Sequence, residues 1–233
     1  MSSPEQLFAD LLAARPANPF VTYYDEASGE RSELSAKSLA NWVAKTHHLL
    51  GDELGLGSGD TALVALPAHW ISVPVLIGCL TAGLALTTQG PADAAFVTSS
   101  TADAPDVFAV DPTSAATGFG GTPPPGTVDY VVAVRPQADT WASVQFGAAP
   151  DEPCFSGRTR REVADGAAAR AQSLGMGRGA RVLATRQWVT ADDWLDTLLA
   201  PLAVGGSVVY VANCTDEVVL DRRADQERVT NRI

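Results

Sequence analysis

Apolar residues follow two different spacings along the chain, and the alternation between the two predicts an α/β fold. Compact or alternating apolar runs, typical of strands, occupy residues 20–24, 31–34, 61–66, 84–88, 94–98, 107–110, 130–134, 181–185 and 207–211. Apolar residues spaced three or four apart predict helices at about 4–12, 36–50, 69–82, 162–174, 192–204 and 215–228. Strands and helices that alternate in this order favour largely parallel sheets with flanking helices.

Two stretches about 120 residues apart repeat the same arrangement of elements. Each contains a glycine-rich turn, a strand, a tryptophan (Trp70 or Trp188), an apolar helix, a turn of small residues and a second strand. We interpret them as two α/β subdomains of similar design, residues 1–127 and 128–233, packed together as one structural unit. A chance alternation of elements is the alternative. The tryptophans are expected in the core, with a place in a pocket wall as the other option.

Glycine runs at residues 55–59 and 175–179 open the two copies of the repeat. A nucleotide-binding glycine loop follows a strand and opens a helix, whereas each of these runs follows a predicted helix and precedes a strand. Glycine after a helix supplies the left-handed residue that ends it. We therefore expect these glycines to be helix caps and not phosphate loops.

Composition and net charge disfavour several classes of function. The 233-residue chain is 46% hydrophobic with a formal net charge of −11, which disfavours a nucleic-acid partner because phosphate binding needs clustered Lys and Arg. The apolar run at 73–86 is too short and broken to cross a bilayer, and residues 1–10 lack a secretory-signal pattern. Cys79, Cys154 and Cys214 are an odd number of cysteines and lie far apart, in no metal-binding spacing. Without a secretory-signal pattern, this usage indicates reduced thiols. A cytoplasmic protein without a bound metal or a membrane association is expected.

Charge is distributed unevenly along the chain. Residues 51–156 carry one basic residue, Arg135, against eleven acidic ones, and we expect a solvated acidic face there. Residues 157–233 carry eleven arginines and ten acidic residues. The chain has only two lysines, Lys37 and Lys45.

The order of these blocks resembles the N-terminal part of the adenylate-forming enzymes, the superfamily of acyl-CoA synthetases, peptide-synthetase adenylation domains and luciferases. The resemblance is carried by FVTYYDEASGERSEL at 20–34, LGLGSGDTALVALPAHWISVPVLIGCLTAGLALTT at 54–88, LGMGRGARVLATRQWVTADDWLDTLLAPLAVGGSVVYV at 174–211 and DEVVLDRRADQERVT at 216–230. The resemblance implies the fold of that N-terminal part. The chain is most similar to a short actinobacterial group of such proteins that lack the rest of the synthetase.

Members of this superfamily activate a carboxylate with ATP and hold the phosphates on a loop of the form T-S-G-T-T-G-x-P-K-G. The matching segment here is CFSGRTRRE at 154–162, in which arginines replace the later glycines and the lysine is absent. The resemblance marks a candidate ligand-binding site formed by Ser156, Gly157, Arg158, Thr159, Arg160 and Arg161. Its arginines are bidentate donors suited to a phosphate or carboxylate. The alternative is a capping box, in which Thr159 and Glu162 begin the following helix.

The departures from the superfamily pattern bear on catalysis. No lysine follows residue 45, so the lysine that family members place against the acyl carboxylate is absent, as are the adenine-binding aromatic strand and the ribose-binding aspartate. We expect a non-catalytic relative that binds a ligand or protein, with no catalytic residue and no required cofactor. ATP, AMP and CoA are the ligands that the resemblance suggests. The alternative is a residual or split acyl-CoA synthetase or ligase completed by another chain.

Partner expectations follow from the shortened fold. A fold without its remaining part exposes apolar surface that the missing part covers. A second copy of the chain or a synthetase-like protein is therefore the expected partner.

The remaining candidates for chemistry have simpler structural explanations. His47 and His48 are neighbours on a predicted helix and point about 100° apart, so they cannot easily share a metal. His69 follows a strand at the mouth of the sheet, where α/β proteins bind ligands, and it either begins the next helix or contributes to a site. The three aspartates within 192–196 are expected to form an acidic helix start rather than a cation site.

Overall fold

A computed structural model describes residues 2–98, 101–119, 122–140 and 147–233 of the chain. Its strands are β1 (Pro19–Asp25), β2 (Glu30–Ser35), β3 (Thr61–Ala65), β4 (Ala85–Thr87), β5 (Ala94–Val97), β6 (Asp106–Ala109), β7 (Val128–Asp129), β8 (Pro153–Phe155), β9 (Arg158–Thr159), β10 (Arg181–Ala184), β11 (Ser207–Ala212) and β12 (Asn231–Arg232). Its α-helices are α1 (Pro4–Ala14), α2 (Ala36–His48), α3 (Ser72–Ala82), α4 (Tyr130–Val134), α5 (Arg160–Ser173), α6 (Ala191–Trp194), α7 (Ala200–Ala203) and α8 (Glu217–Glu227). A π-helical turn at Leu49–Glu53 extends α2, and another at Leu195–Leu199 joins α6 to α7.

The strands of the described residues form two largely parallel sheets. One has five strands in the order β12-β10-β11-β1-β2, and only its β1–β2 hairpin is antiparallel. The other has seven strands in the order β7-β6-β5-β3-β4-β8-β9, and only its β8–β9 hairpin is antiparallel. This is the α/β class with two mostly parallel sheets that the sequence predicts.

Both sheets combine strands from distant parts of the chain. β1 pairs with β11, with Val21 opposite Val208, and β8 pairs with β4, with Phe155 opposite Leu86. The predicted division between residues 127 and 128 therefore does not coincide with the boundary between the sheets. Each hairpin, β1–β2 or β8–β9, lies on one side of that division and pairs with a strand from the other side.

The repeated arrangement is present as two pairs of parallel neighbouring strands, each joined through helices. β3 and β4 flank α3, and β10 and β11 flank α6 and α7. Gly55 and Gly175 have φ angles of 70° and 66°, in the left-handed region that follows a helix. Neither glycine run opens a helix, which agrees with their interpretation as caps.

One predicted strand, at residues 130–134, is wrong, because these residues form the short helix α4. The Asp129 carboxylate accepts hydrogen bonds from the amides of Val131 at 2.8 Å and Val132 at 3.3 Å. An aspartate that caps two amides in this way starts a helical turn despite the β-branched valines that follow. The Tyr130 hydroxyl lies 2.7 Å from Thr46 Oγ1, which anchors α4 to α2.

The helix α3 runs through the centre of the molecule, and all of its residues are buried. It packs closely against α2, because a Cβ atom on Gly78 would lie only 2.5 Å from Thr46 Cβ. The largest core cluster contains residues of both sheets and of the helices between them, among them Phe20, Leu76 and Phe96. One continuous core therefore holds the sheets together. Among the described residues, none of the helices is both long enough and apolar enough to span a membrane.

Candidate functional site

The predicted ligand-binding segment folds as a tight β-hairpin. Ser156 and Gly157 form its turn, and their φ angles of 54° and 71° both lie in the left-handed region. Two left-handed residues between antiparallel strands are typical of a type I′ turn. β8 and β9 flank this turn directly. The segment is therefore a two-residue turn and not an extended loop.

Thr159 and Glu162 form the capping box that the sequence offers as the alternative. The Thr159 hydroxyl accepts from the Glu162 amide at 3.2 Å, and the Glu162 carboxylate accepts from the Thr159 amide at 2.8 Å. These two hydrogen bonds satisfy amide groups that the first turn of a helix leaves open. The local sequence thus starts α5 at Arg160.

Arg160 is fully buried and joins three helical segments. Its guanidinium donates to the Glu5 carboxylate on α1, and both side chains are inaccessible to solvent. It also donates to the carbonyls of Leu80 and Leu84, each at 2.9 Å, at the end of α3. Burial lowers the pKa of Arg160 to about 10. This arginine therefore satisfies the fold's own acceptors.

Arg158 and Arg161 lie nearer the surface, and each is also paired with a carboxylate. Arg158 Nη2 lies 2.7 Å from Asp192 Oδ1, and its guanidinium lies 5.0 Å from the centre of the Phe155 ring. Arg161 Nη2 lies 2.8 Å from Asp151 Oδ1. A ligand that used these arginines would have to displace their present partners. Ligand binding at residues 156–161 stays a prediction.

The aspartates within 192–196 have partners of their own. Asp192 pairs with Arg158. The Asp193 carboxylate accepts a hydrogen bond from the Thr190 amide at 2.8 Å, and this contact caps α6. Asp196 accepts from Arg170 at 2.6 Å and from Arg186 at 2.8 Å. In the described part of the chain, no three His, Cys, Asp or Glu side chains are arranged to hold a metal ion.

A groove crosses the carboxyl ends of the parallel strands of both sheets. Three neighbouring cavities form it, with volumes of about 350, 460 and 370 Å³. The first and second share Ala65 and Thr88, and the second and third share Pro67 and Gln187. Trp188 lines the second cavity, and its indole N–H donates to Thr197 Oγ1 at 2.8 Å. The carboxyl ends of parallel strands are where open α/β sheets bind ligands.

His69 lies buried beside the third cavity of this groove, and its tautomer follows from its contacts. Its Nδ1 accepts from the Ile71 amide at 3.1 Å, so a neutral ring carries its proton on Nε2. Burial lowers the pKa of His69 to about 4, which keeps the ring neutral at pH 7. This hydrogen bond also explains why α3 begins at Ser72 and not at residue 69, since residues 69–71 form a turn.

Two carboxylates of the β1–β2 hairpin line the same cavity. Asp25 and Glu30 are paired in the register of the hairpin, immediately before and after its turn. The side-chain amide of Asn213 donates a hydrogen bond to Asp25 Oδ1 at 2.9 Å. Of the several hydrogen bonds that lower the pKa of Asp25, this one contributes most. The Tyr23 ring lies 4.0 Å from the His69 ring, centre to centre. Burial, with smaller contributions from the two carboxylates, raises the pKa of Tyr23 to about 12.

Sequence reasoning singled out His69 but missed Asp25 and Glu30. Both lie between the strands predicted at residues 20–24 and 31–34, and pairing of those strands as a hairpin is the signal that brings them together. Their approach to His69 depends on the packing of one sheet against the other, which no local pattern predicts.

Comparison with known proteins gives the relationship of this chain to others. None of the family models to which the sequence was compared matches it. A protein of Mycobacterium tuberculosis, described as a TIGR03089 family protein, is 39% identical over 235 residues, which cover 94% of this chain and 93% of that protein. The chain belongs to the TIGR03089 family.

The fold of this TIGR03089 family chain is that of the N-terminal domain of acyl-CoA synthetases. It superposes on an acyl-CoA synthetase of Brucella canis with a TM-score of 0.77 and 17% identity, and on a benzoate CoA ligase of Burkholderia xenovorans LB400 with 0.73 and 14%. An anthranilate CoA ligase solved in complex with anthranoyl-AMP gives a TM-score of 0.67 at 13% identity over 89% of the chain. The resemblance predicted from the sequence is thus confirmed in the fold.

The coverage of these structures is unequal. The first two alignments include 99% of this chain but only 47% and 49% of the longer proteins, and the third includes 44%. The chain therefore spans about half the length of the solved structures that it matches. At these identities the superpositions establish the fold.

Proposed function

We propose that this protein binds a small ligand in the groove at the carboxyl ends of its strands and does not itself form an acyl-adenylate. The observation that carries the proposal is the burial of Arg160 against Glu5 and two backbone carbonyls, within the segment that matches the phosphate loop of the superfamily. Every arginine of that segment is paired with a carboxylate.

Charge balance supports the absence of adenylate formation. Transfer of a nucleotide from ATP builds negative charge on the phosphates, and cations or open backbone amides must stabilise it. Arginines that already face Asp192, Glu5 and Asp151 are electrostatically compensated. The turn at Ser156 and Gly157 has two residues between its strands and leaves no room for a longer cradle of amides.

The groove supports the ligand-binding half of the proposal. It lies where both sheets end their parallel strands, and it contains polar side chains between apolar walls, as small-molecule sites do. We propose that ligand binding takes place in the cytoplasm, because all three cysteines are free thiols, which is typical of a reducing compartment.

A second candidate function is a split synthetase, in which another chain completes the active site. Val189 favours it, because this side chain is 75% exposed in the loop that follows β10, next to the groove. An exposed apolar side chain beside a ligand groove suits contact with a synthetase-like partner or a second copy of the chain.

The proposal is tested by pyrophosphate release. The purified protein is incubated with Mg·ATP and a panel of aliphatic and aromatic carboxylic acids, with a complete acyl-CoA synthetase as the positive control. We expect no release above the rate without protein. Release that is abolished by Arg158→Ala or Arg161→Ala would contradict the proposal. Release that needs an added synthetase fragment would favour the split enzyme.

A further inference from the structure

The cavity beneath the β1–β2 hairpin has an uncompensated negative charge. Its polar lining includes the carboxylates of Asp25 and Glu30, the Tyr23 phenol and the His69 imidazole. Among the described residues that line it, none is a lysine or an arginine. The volume of about 370 Å³ is within the usual range for small-molecule sites.

The alternation of side chains along the two strands explains why no arginine neutralises this cavity. Successive strand residues point to opposite faces, so Tyr24 and Arg31 lie on the face opposite Tyr23 and Glu30. There Arg31 pairs with Glu227 at 3.2 Å, and its Nε donates to the Tyr24 hydroxyl at 2.9 Å. The cation nearest in sequence to Glu30 is thus held away from the cavity by contacts of its own.

His69 supplies an independent sign of a ligand. The residue is only 2% exposed, and its protonated Nε2 has no hydrogen-bond partner within the described parts of the chain. Nε2 lies 3.9 Å from Glu30 Oε1, so this N–H faces the carboxylate that lines the cavity but is too far away to bond to it. A buried donor without an acceptor is costly, and a ligand acceptor that reaches His69 Nε2 from the cavity would satisfy it.

The carboxylates have acceptor capacity left for a ligand. Asp25 accepts from Asn213, the Ala27 amide and the Ser28 hydroxyl, which fix its orientation. Glu30 accepts one hydrogen bond within the described residues, from Ser32 Oγ at 2.8 Å. A carboxylate offers about four acceptor positions, so Glu30 can receive a charged donor.

The geometry points to an organic cation as the ligand, with its ammonium group against Glu30 and Asp25 and an adjacent hydroxyl or carbonyl oxygen on His69 Nε2. This inference rests on the proposed ligand-binding function and names its ligand class. The ring of an aromatic or aliphatic amine would pack on the apolar walls formed by Pro67, Ala68 and Pro112.

Four small molecules separate charge from shape in the test. The cation 2-amino-1-phenylethanol, the uncharged 1-phenyl-1,2-ethanediol and the anion mandelate share a phenyl ring and a hydroxyl group and differ in charge. The amine 2-phenylethylamine retains the charge and lacks the hydroxyl. Each is titrated into the full chain while the side-chain nitrogen signals of its three histidines are followed by NMR.

We expect 2-amino-1-phenylethanol to shift the His69 signals and to bind about tenfold more tightly than the diol, as a charge-assisted hydrogen bond provides. Mandelate should not bind. Glu30→Gln should weaken binding of the amine about tenfold. Asp165→Asn, which removes one charge from the exposed face of α5, should leave the affinity unchanged.

A variant of His69 tests the proposed hydrogen bond between the ligand hydroxyl and His69 Nε2. His69→Asn retains a side-chain acceptor for the Ile71 amide but lacks the Nε2 donor. It should remove the advantage of 2-amino-1-phenylethanol over 2-phenylethylamine. If this variant does not fold, the ligand series and Glu30→Gln still decide the question.

Three results would overturn the inference: equal or tighter binding of the diol or mandelate, no binding of either amine, or an affinity that Glu30→Gln does not change. Tight mandelate binding in the groove would refute the cationic ligand and leave the proposed binding function intact. Pyrophosphate release by the protein alone would refute the proposed function instead.

Discussion

Replacing Arg160 with methionine tests whether this arginine belongs to the fold or to a ligand site. Methionine has a similar length and no charge. The substitution removes the donor that Glu5 and the carbonyls of Leu80 and Leu84 now share. If the arginine serves the fold, its loss leaves a buried carboxylate without a partner.

The expected cost follows from burial. Removing one partner of a fully desolvated ion pair costs about 3–5 kcal/mol, because the remaining charge stays out of water without compensation. Arg160 and Glu5 are both inaccessible to solvent, so little screening reduces this figure. Pairing Arg160→Met with Glu5→Leu should recover about 2–3 kcal/mol of that loss, since the double variant leaves no lone charge.

Urea unfolding followed by circular dichroism measures the effect as a change in the free energy of unfolding. Arg161→Met is the matched control, because Arg161 is adjacent and its partner Asp151 is 78% exposed. An exposed pair of this kind contributes less than about 1 kcal/mol. A loss in Arg160→Met no greater than that in Arg161→Met would refute the structural role of Arg160.

Three further predictions concern packing, protonation and capping. Gly78→Ala should destabilise the protein by about 1–3 kcal/mol in urea unfolding, because the new Cβ meets Thr46 at 2.5 Å, whereas Gly166→Ala, with open space around it in α5, should stabilise it by about 0.5–1 kcal/mol. His69 holds its pKa near 4 by burial, against 6.5 when unfolded, so its stabilisation is present above pH 6.5 and is lost as the pH falls towards 4. Relative to His69→Asn, the natural chain should lose up to about 3 kcal/mol over that range, and equal slopes for the two proteins would contradict this. Thr159→Ala should cost about 1 kcal/mol through loss of the capping box, and an unchanged unfolding midpoint would show that the cap is unimportant.

The fold was predictable from the sequence to the extent that local patterns determine it. Compact apolar runs mark β3 and β11, and the Thr159-x-x-Glu162 pattern marks the start of α5. The error at residues 130–134 arose because the β-branched residues favour a strand, whereas the side chain of Asp129 favours a helical turn. Propensity and capping compete in a short segment, and here the cap and the Tyr130 contact decide.

Non-local pairing was the part that the sequence could not provide. The hairpin of β1 and β2 joins the sheet of β10 and β11, which are more than a hundred residues away in the chain. Arg160 is similar, since a run of arginines is typical of an exposed basic surface, yet Glu5 from α1 draws this one into the core. The acidic cavity beside His69 likewise depends on contacts between the sheets.

Binding of Mg·ATP tests the central claim most directly, namely that the arginines of residues 156–161 are committed to the protein's own carboxylates. Backbone amide signals of the 24.3 kDa protein are followed by NMR as Mg·ATP is added to millimolar concentration. Our account predicts no saturable shift in the amides of residues 156–161. A saturable shift centred on those residues, with Arg158 or Arg161 released from its carboxylate, would contradict it.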